Sequence, residues 1–297
     1  MELIDRLIDP IRYPEFGLGL LVGVVTVVGW LTARRLRPPP RVAVGSVLVA
    51  GVLVGFWWLD LLTGRLLGGL GLLALGAGAY RAHAWLAVMP VLAGAGVLAV
   101  RFGPVTSGFR AGVAIAGLGL MLALVWFDRR SPHREAGALW LLVTAGGIYA
   151  TVPSTQEARL VMAALLVVAV ASVPLQRGRL GPTGALLVGG LLTWVIATGG
   201  FARPGSIVGA FAASGLLLAD PVARALMGRS ALDRVPATVR GMLGLGAVQL
   251  SLSLFASRVA GLREGYSEAA LIAGPVLVVT VLVLAFAGRS RAPAEAS

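Results

Sequence analysis

Hydrophobic residues in this chain form long runs that polar residues interrupt only briefly, without the alternating pattern of half-buried strands. A helix needs about 20 mainly apolar residues to cross a bilayer, and eleven runs approach that length. The pattern predicts an all-α, polytopic transmembrane helix bundle with about eleven spans. The third, seventh and ninth runs are short, so the count becomes ten or nine if they do not all cross. The predicted spans are 15–33, 42–62, 66–80, 84–100, 111–127, 136–152, 160–175, 180–201, 205–219, 236–257 and 268–287.

No connector between the runs is long enough to fold separately, so residues 15–287 are expected to form a single transmembrane domain. Residues 1–14 place apolar and charged side chains on opposite faces at helical spacing, which predicts an interfacial amphipathic segment. A short packed or frayed terminus is the alternative. The small, polar, proline-containing segment 288–297 is predicted to be a disordered cytoplasmic tail.

Composition agrees with a membrane protein, since 58% of the residues are hydrophobic, 13% are charged and the mean hydropathy is +0.90. The lack of cysteine excludes disulfide scaffolds, zinc–thiolate sites and cysteine nucleophiles. The net charge of +12 comes from arginines that lie between apolar runs. Membrane lipids, anionic on the cytoplasmic side, are therefore the expected partners, and nucleic acid is not.

The arginines also predict an orientation, because cytoplasmic loops of membrane proteins are enriched in Lys and Arg. With the N-terminus outside, sixteen of the 25 arginines fall in cytoplasmic segments and nine in outer segments. This asymmetry predicts an outer N-terminus, a cytoplasmic C-terminus and a multi-pass protein of the plasma (inner) membrane. The bias depends mainly on three loops, so one miscounted short span would reverse the later part.

The first cytoplasmic connector has the densest charge. It contains Arg34, Arg35, Arg37 and Arg41, with a triple proline at 38–40 that prevents the first helix from continuing. A polybasic segment beside a span is attracted to anionic lipid by about 1 kcal/mol per side chain. These four arginines are predicted to contact anionic lipid.

Residues that could perform chemistry are few. The two histidines, His83 and His133, lie fifty residues apart in predicted connectors and form no metal-ligand motif. No nucleophile elbow, P-loop or dinucleotide-binding motif is present in a suitable context. The sequence therefore predicts no catalytic residue, no metal site and no cofactor.

Ionisable residues within apolar sequence are costly, which makes them candidates for function. Asp60 follows Phe56-Trp57-Trp58-Leu59 at the outer end of the second span, and Arg65 is a plausible partner. Arg101 and Arg258 lie at outer span ends, where the charge rule disfavours arginine. We expect any ligand site to open outward around Asp60, with these arginines holding an anionic group. A purely structural Asp60–Arg65 pair is the alternative.

The polar outer loop 149–159 is predicted to form the rim of this site. It includes Tyr149 and Glu157 among several hydrogen-bonding groups. The loop has an alternative explanation as a proline-led turn in which Ser154 or Thr155 caps the seventh span.

Two further polar features have structural alternatives. Asp220 precedes Pro221 at the inner end of the ninth span, and pairing with Arg224 at i, i+4 is the expectation preferred over transport. A stripe of Gln249, Ser251, Ser253 and Ser257 on the tenth span could line a cavity or hydrogen-bond to neighbouring helices, and the second is favoured.

These features favour a polytopic protein without catalytic motifs, either a carrier of a small solute or lipid, or an assembly subunit of an envelope complex with a partner membrane protein. The alternative is an intramembrane enzyme that acts on a lipid-linked, phosphate-containing substrate. That enzyme would need a second carboxylate or histidine near Asp60.

Reporters fused after Ser131 and Ser297 are expected to lie in the cytoplasm, because the fifth and last predicted spans end there. Paired fusions to alkaline phosphatase, which is active outside, and to a fluorescent protein that matures inside, measure this. An outer location for both positions would contradict the predicted orientation.

Overall fold

The structure, a computed structural model, describes residues 13–33, 44–99, 107–130, 137–151, 155–175, 180–200, 204–228 and 239–261, with 275, 278–280 and 282–283 near the C-terminus. All regular secondary structure within these ranges is helical, which confirms the all-α class for them. Residues 1–12 of the amphipathic segment predicted for 1–14, the tail at 288–297 and most of the last predicted span lie outside the described residues.

The described residues contain eleven helices of at least ten residues. They are α1 (Pro14–Ala33), α2 (Val44–Trp58), α3 (Gly64–Ala82), α4 (Ala84–Ala99), α5 (Ser107–Arg130), α6 (Gly137–Thr151), α7 (Gln156–Leu175), α8 (Pro182–Gly200), α9 (Pro204–Ala213), α10 (Gly215–Met227) and α11 (Val239–Gly261).

Most of these helices coincide with single apolar runs of the sequence, but the ninth run is different. It forms two helices, α9 and α10, that are bent by 52° across Ser214. The Ser214 hydroxyl donates to the carbonyl of Ala210, and a glycine follows it. Ser–Gly pairs are a common site of helix kinks, so the short ninth run is either one broken span or a re-entrant segment.

Within the described ranges, two helical segments are long and apolar enough to cross a membrane alone, Pro14–Thr32 and Pro182–Gly199. The bent pair α9–α10 becomes a third if both halves form one span. Helices α2, α4 and α6 are apolar but shorter. Membrane association by two or three helices is therefore the conclusion that length and composition support.

Helix α8 forms the centre of the bundle. It packs against α2, α3, α4, α5, α7 and α9, and 78% of its apolar window is buried, compared with 33% of the corresponding window of α1. Even its polar residue Thr193 is fully buried, and the hydroxyl donates to the carbonyl of Gly189 in the same helix. The core is thus arranged around one helix whose side chains face protein on almost every side.

Glycines allow other helices to approach α8 closely. A Cβ atom placed on Gly184 would lie 2.8 Å from the Cα atom of Gly45 in α2. The amide of Gly45 also donates to the carbonyl of Leu180, at 3.3 Å. A Cβ atom on Gly189 would lie 2.9 Å from the Cα atom of Met121 in α5. Backbones at such distances leave no space for a side chain, which is the packing that small residues permit in membrane helices.

Contacts between glycines and their neighbours also give the relative directions of the helices. Gly19 and Gly23 of α1 contact Ala163 and Val167 of α7 in the same order along the chain, so α1 and α7 are parallel. The order is reversed between α5 and α8, where Gly117 contacts Thr193 and Met121 contacts Gly189. These two helices are therefore antiparallel.

Replacing Gly184 with Ala is expected to destabilise the protein by about 1–3 kcal/mol, because the added methyl group would overlap backbone atoms of α2. The matched control is Gly96→Ala in α4, where a Cβ atom meets nothing within 4 Å. The control is expected to be at least as stable as the wild type, since alanine is the better helix former. Thermal unfolding of the purified variants in detergent measures both, and equal melting temperatures would contradict the close contact.

Candidate functional site

The structure assigns Asp60 to the end of a helix. Its φ of 55° lies in the left-handed region, the amide of Asp60 donates to the carbonyl of Trp57, and the amide of Leu61 donates to the carbonyl of Phe56. These two bonds define a Schellman motif, in which the left-handed residue closes α2 and satisfies its last carbonyls. Aspartate tolerates this conformation better than most residues that carry a side chain.

The Asp60–Arg65 pair, which is the structural alternative to a ligand site, is not present. Asp60 is exposed, and its carboxylate makes no hydrogen bond or ion pair with any described residue. The neighbours of Asp60 in the sequence are apolar, but two of them, Trp57 and Trp58, are themselves exposed. A carboxylate at the exposed end of α2 needs no buried partner.

The remaining candidates for the outer site lie on different parts of the bundle. Arg258 is exposed on α11, which packs against α6 and α9, whereas α2 packs against α1, α7 and α8. Tyr149 packs against the core from α6, and Glu157 is half-buried in the first turn of α7. Arg101, like Arg34, Arg35, Arg37 and Arg41, lies outside the described residues. The outer site therefore remains a prediction from the sequence.

The polar stripe of α11 serves helix packing at its buried positions. Gln249 donates from Nε2 to the hydroxyl of Thr144 in α6 at 3.4 Å, and the Ser253 hydroxyl donates to the carbonyl of Gly209 in α9 at 2.7 Å. Ser251 is exposed and bonds within its own helix. Interhelical hydrogen bonding, the favoured explanation of the stripe, is confirmed for Gln249 and Ser253.

The ion pair predicted between Asp220 and Arg224 is confirmed, with 3.2 Å between the carboxylate and guanidinium atoms. Asp220 is buried, while Arg224 is partly exposed and its guanidinium lies 5.4 Å from the ring centre of Trp126. The pair therefore links α10 to α5 at one end of the bundle.

A second ion pair, between Glu15 and Arg159, was not expected from the sequence. The charged atoms are 3.6 Å apart, Glu15 is buried, and the Arg159 guanidinium lies 3.6 Å from the ring centre of Tyr13. The pair joins the first turns of α1 and α7 across 144 positions of sequence. Such a separation cannot be inferred from spacing along a single helix.

A cavity of about 550 Å³ lies between α3, α4, α5 and α8. This volume is in the range of ligand pockets. Most of its wall is apolar, and the described residues that line it include no carboxylate or histidine. The apolar wall consists of Gly76, Ala77, Ala87, Val88, Val91, Leu92, Leu118, Leu122, Val125, Pro182 and Leu186, and the other lining residues are Tyr80, Trp126, Arg129 and Thr183.

The polar lining residues converge where α3 and α5 end and α8 begins. The Arg129 guanidinium donates to the hydroxyl of Tyr80 at 3.0 Å and lies 4.6 Å from the centre of the same ring. Pro182 occupies the first position of α8, where its missing amide hydrogen costs nothing. The amide of Gly181 donates to the buried carboxylate of Asp128 at 2.9 Å, which fixes the start of α8 against the end of α5.

This arrangement can bind an elongated apolar molecule, but the described residues provide little for catalysis. Among them, no group of three or more His, Cys, Asp or Glu side chains is placed to hold a metal ion. The sequence could not reveal the cavity, because Tyr80, Arg129 and Thr183 are far apart along the chain and each resembles an ordinary residue at a span end.

Comparison with known proteins gives no further guidance, because no protein-family model matches the chain and no curated protein or solved structure is significantly similar to it.

Replacing Asp60 with Asn is expected to leave stability within about 0.5 kcal/mol of the wild type, because Asn adopts the left-handed conformation equally well and no carboxylate contact is lost. Asp60→Val is the informative partner, since a β-branched side chain at this φ is strained and should cost about 1–2 kcal/mol. Thermal unfolding measures both. A large loss of stability in Asp60→Asn would contradict this and indicate that the charge of Asp60 has a role.

Proposed function

We propose that this chain is a multi-pass protein of the plasma (inner) membrane that carries a lipid-like molecule, with about eleven spans, an outer N-terminus and a cytoplasmic C-terminus. The single observation that carries the proposal is the apolar cavity between α3, α4, α5 and α8. An apolar lining favours a lipid-like occupant over a hydrophilic solute.

The relative directions of the helices support a multi-pass topology. Spans that cross in alternation require odd-numbered spans to be parallel to one another and antiparallel to even-numbered ones. Helices α1 and α7, the first and seventh spans, are parallel, and α5 and α8 are antiparallel. Helices α6 and α11, the sixth and tenth spans, are parallel, because Val143 and Gly147 contact Gly246 and Ser253 in the same order.

The short helices fit this topology at a modest cost. Helices α2 and α6 have 15 residues each, and at 1.5 Å per residue each is about 22 Å long. The hydrocarbon core of a bilayer is about 30 Å thick. Local thinning of the bilayer and the flanking turns compensate for such a difference at a fraction of a kcal/mol per Å.

The cavity also distinguishes the proposal from its alternatives. An intramembrane enzyme needs acid–base or metal-binding side chains at its reaction site, and the described residues of the cavity lining include no carboxylate or histidine. An assembly subunit has no requirement for an internal cavity. The exposed apolar side chains of α1 and α4 suit contact with either lipid or a partner protein and do not separate these functions.

The test uses the purified full-length chain in phosphatidylcholine vesicles that contain a trace of phosphatidylglycerol labelled with a fluorophore on its acyl chain. Dithionite bleaches the outer leaflet, and a carrier exposes the inner pool to bleaching. Ala77→Leu places a larger side chain in the wall of the cavity and is expected to slow the bleaching of the inner lipid pool several-fold. Ala74→Leu is the matched control, because Ala74 is exposed on the same helix and does not line the cavity.

Bleaching at the rate of protein-free vesicles for every variant would contradict the carrier and favour the assembly subunit. Equal, protein-dependent rates for Ala77→Leu and the wild type would show that lipid does not pass through the cavity.

A further inference from the structure

We propose that the cavity binds an amphiphile with one acyl chain in the apolar part and an anionic head group held by Arg129 and Tyr80. This inference rests on the proposed function, since it requires a lipid-like molecule to enter the cavity. It adds the charge, the orientation and the approximate length of the ligand.

The polarity of the cavity changes along its length. Arg129, Tyr80 and Thr183 lie at one end, where α3 and α5 finish and α8 begins. The walls beyond them are aliphatic, including Val91 and Leu118. A molecule with one polar end and one apolar end matches this gradient, whereas a uniformly apolar molecule leaves the polar end without a partner.

The length of the cavity matches that of an acyl chain in one leaflet of a bilayer. Its wall on α5 extends from Arg129 to Leu118, and eleven residues of helix correspond to about 16 Å. Half of the hydrocarbon core of a bilayer measures about 15 Å. The cavity therefore has the depth of one leaflet, which is the length that a single acyl chain occupies there.

The polar end of the cavity has a positive charge. Arg129 is exposed, and its contacts with described residues are the hydroxyl and ring of Tyr80, not a carboxylate. The adjacent Asp128 is buried and accepts the amide of Gly181, and Asp220 is paired with Arg224. Among the described residues no carboxylate pairs with Arg129, and a guanidinium group binds phosphate or carboxylate in a bidentate way, which favours an anionic head group.

The cavity has a route of entry through its apolar wall. Val88, Leu92 and Leu122 line the cavity and are nevertheless 51%, 47% and 53% exposed. The cavity thus opens sideways between α4 and α5 through an apolar surface. An acyl chain can enter from the bilayer by this opening while its head group stays at the level of Arg129.

The predicted orientation places this end of the bundle on the cytoplasmic side, where anionic lipids are concentrated. The same end contains Tyr80, whose exposed side chain suits the head-group level of a membrane. A head group in that layer and a chain directed toward the midplane is the arrangement that lipids already have in the leaflet.

The experiment compares three photoactivatable probes with the same C16 chain and a diazirine at the same carbon: hexadecyl phosphate, hexadecanoate and hexadecanol. Each is cross-linked at pH 8 to the purified full-length chain in maltoside detergent, and the labelled peptides are identified by mass spectrometry. We expect the two anions to label residues of the cavity wall about three- to tenfold more than the alcohol, because they form charge-assisted hydrogen bonds. The anion that labels the cavity wall more strongly identifies the head group as a phosphate or a carboxylate.

The variants locate the charge effect. Arg129→Gln should reduce labelling by the anions to the level of the alcohol and leave the alcohol unchanged, while Arg129→Lys should retain part of the preference. Tyr80→Phe removes only the hydroxyl and should have a smaller effect. Arg258→Gln is the matched control, since Arg258 is also exposed but does not line the cavity.

The outcomes separate this inference from the proposed function. Equal labelling of the cavity by all three probes, unchanged in Arg129→Gln, overturns the anionic head group but leaves a lipid-binding cavity. Labelling that avoids the cavity wall with every probe overturns both proposals. Loss of anion labelling in Arg258→Gln as well as in Arg129→Gln attributes the preference to overall charge and also overturns the inference.

Discussion

The close contact of helix backbones around α8 is the constraint on which the rest of the bundle depends. Lipid tails are as apolar as leucine side chains, so burial alone does not hold membrane helices together. Dispersion contacts at short range must do so, and they grow with the area over which two helices touch. Gly184 meets Gly45, and Gly189 meets Met121, without an intervening side chain. These contacts place α2 and α5 against opposite parts of one central helix.

The cavity results from the same packing, where the small residues face open space in place of a neighbour. At the level of Gly190 in α8, Leu73 of α3 and Leu98 of α4 fill the gap completely and are fully buried. About one turn further along, Gly76 is again in close contact with α4, where an added Cβ atom would lie 2.6 Å from Val91, whereas the small side chain of Ala77 lines the cavity. A filled level and an open level therefore lie next to each other along α3, and both depend on the size of a few side chains.

The hydrophobic runs of the sequence predict the helices, and helical spacing predicts the pair of Asp220 and Arg224, which are one turn apart. Predictions from neighbouring residues are wrong where the surroundings of a side chain depend on distant parts of the chain. Asp60 looked embedded because its sequence neighbours are apolar, yet it lies in the exposed cap of α2. The contact of Tyr80 with Arg129 spans 49 positions and depends on how two helices end beside each other. The periodicity of the sequence cannot predict such a contact.

Two arginines at the same end of the bundle show how a structural charge differs from an available one. Arg224 is bound to the buried carboxylate of Asp220 and covers the ring of Trp126, so its charge is largely neutralised within the protein. Arg129 is held by Tyr80, which fixes the position of the guanidinium without cancelling its charge. A positioned cation that faces a cavity and lacks a carboxylate among its described contacts retains most of its attraction for an anion. Both residues are arginines in the last turn of a helix. The difference between them therefore lies in their partners.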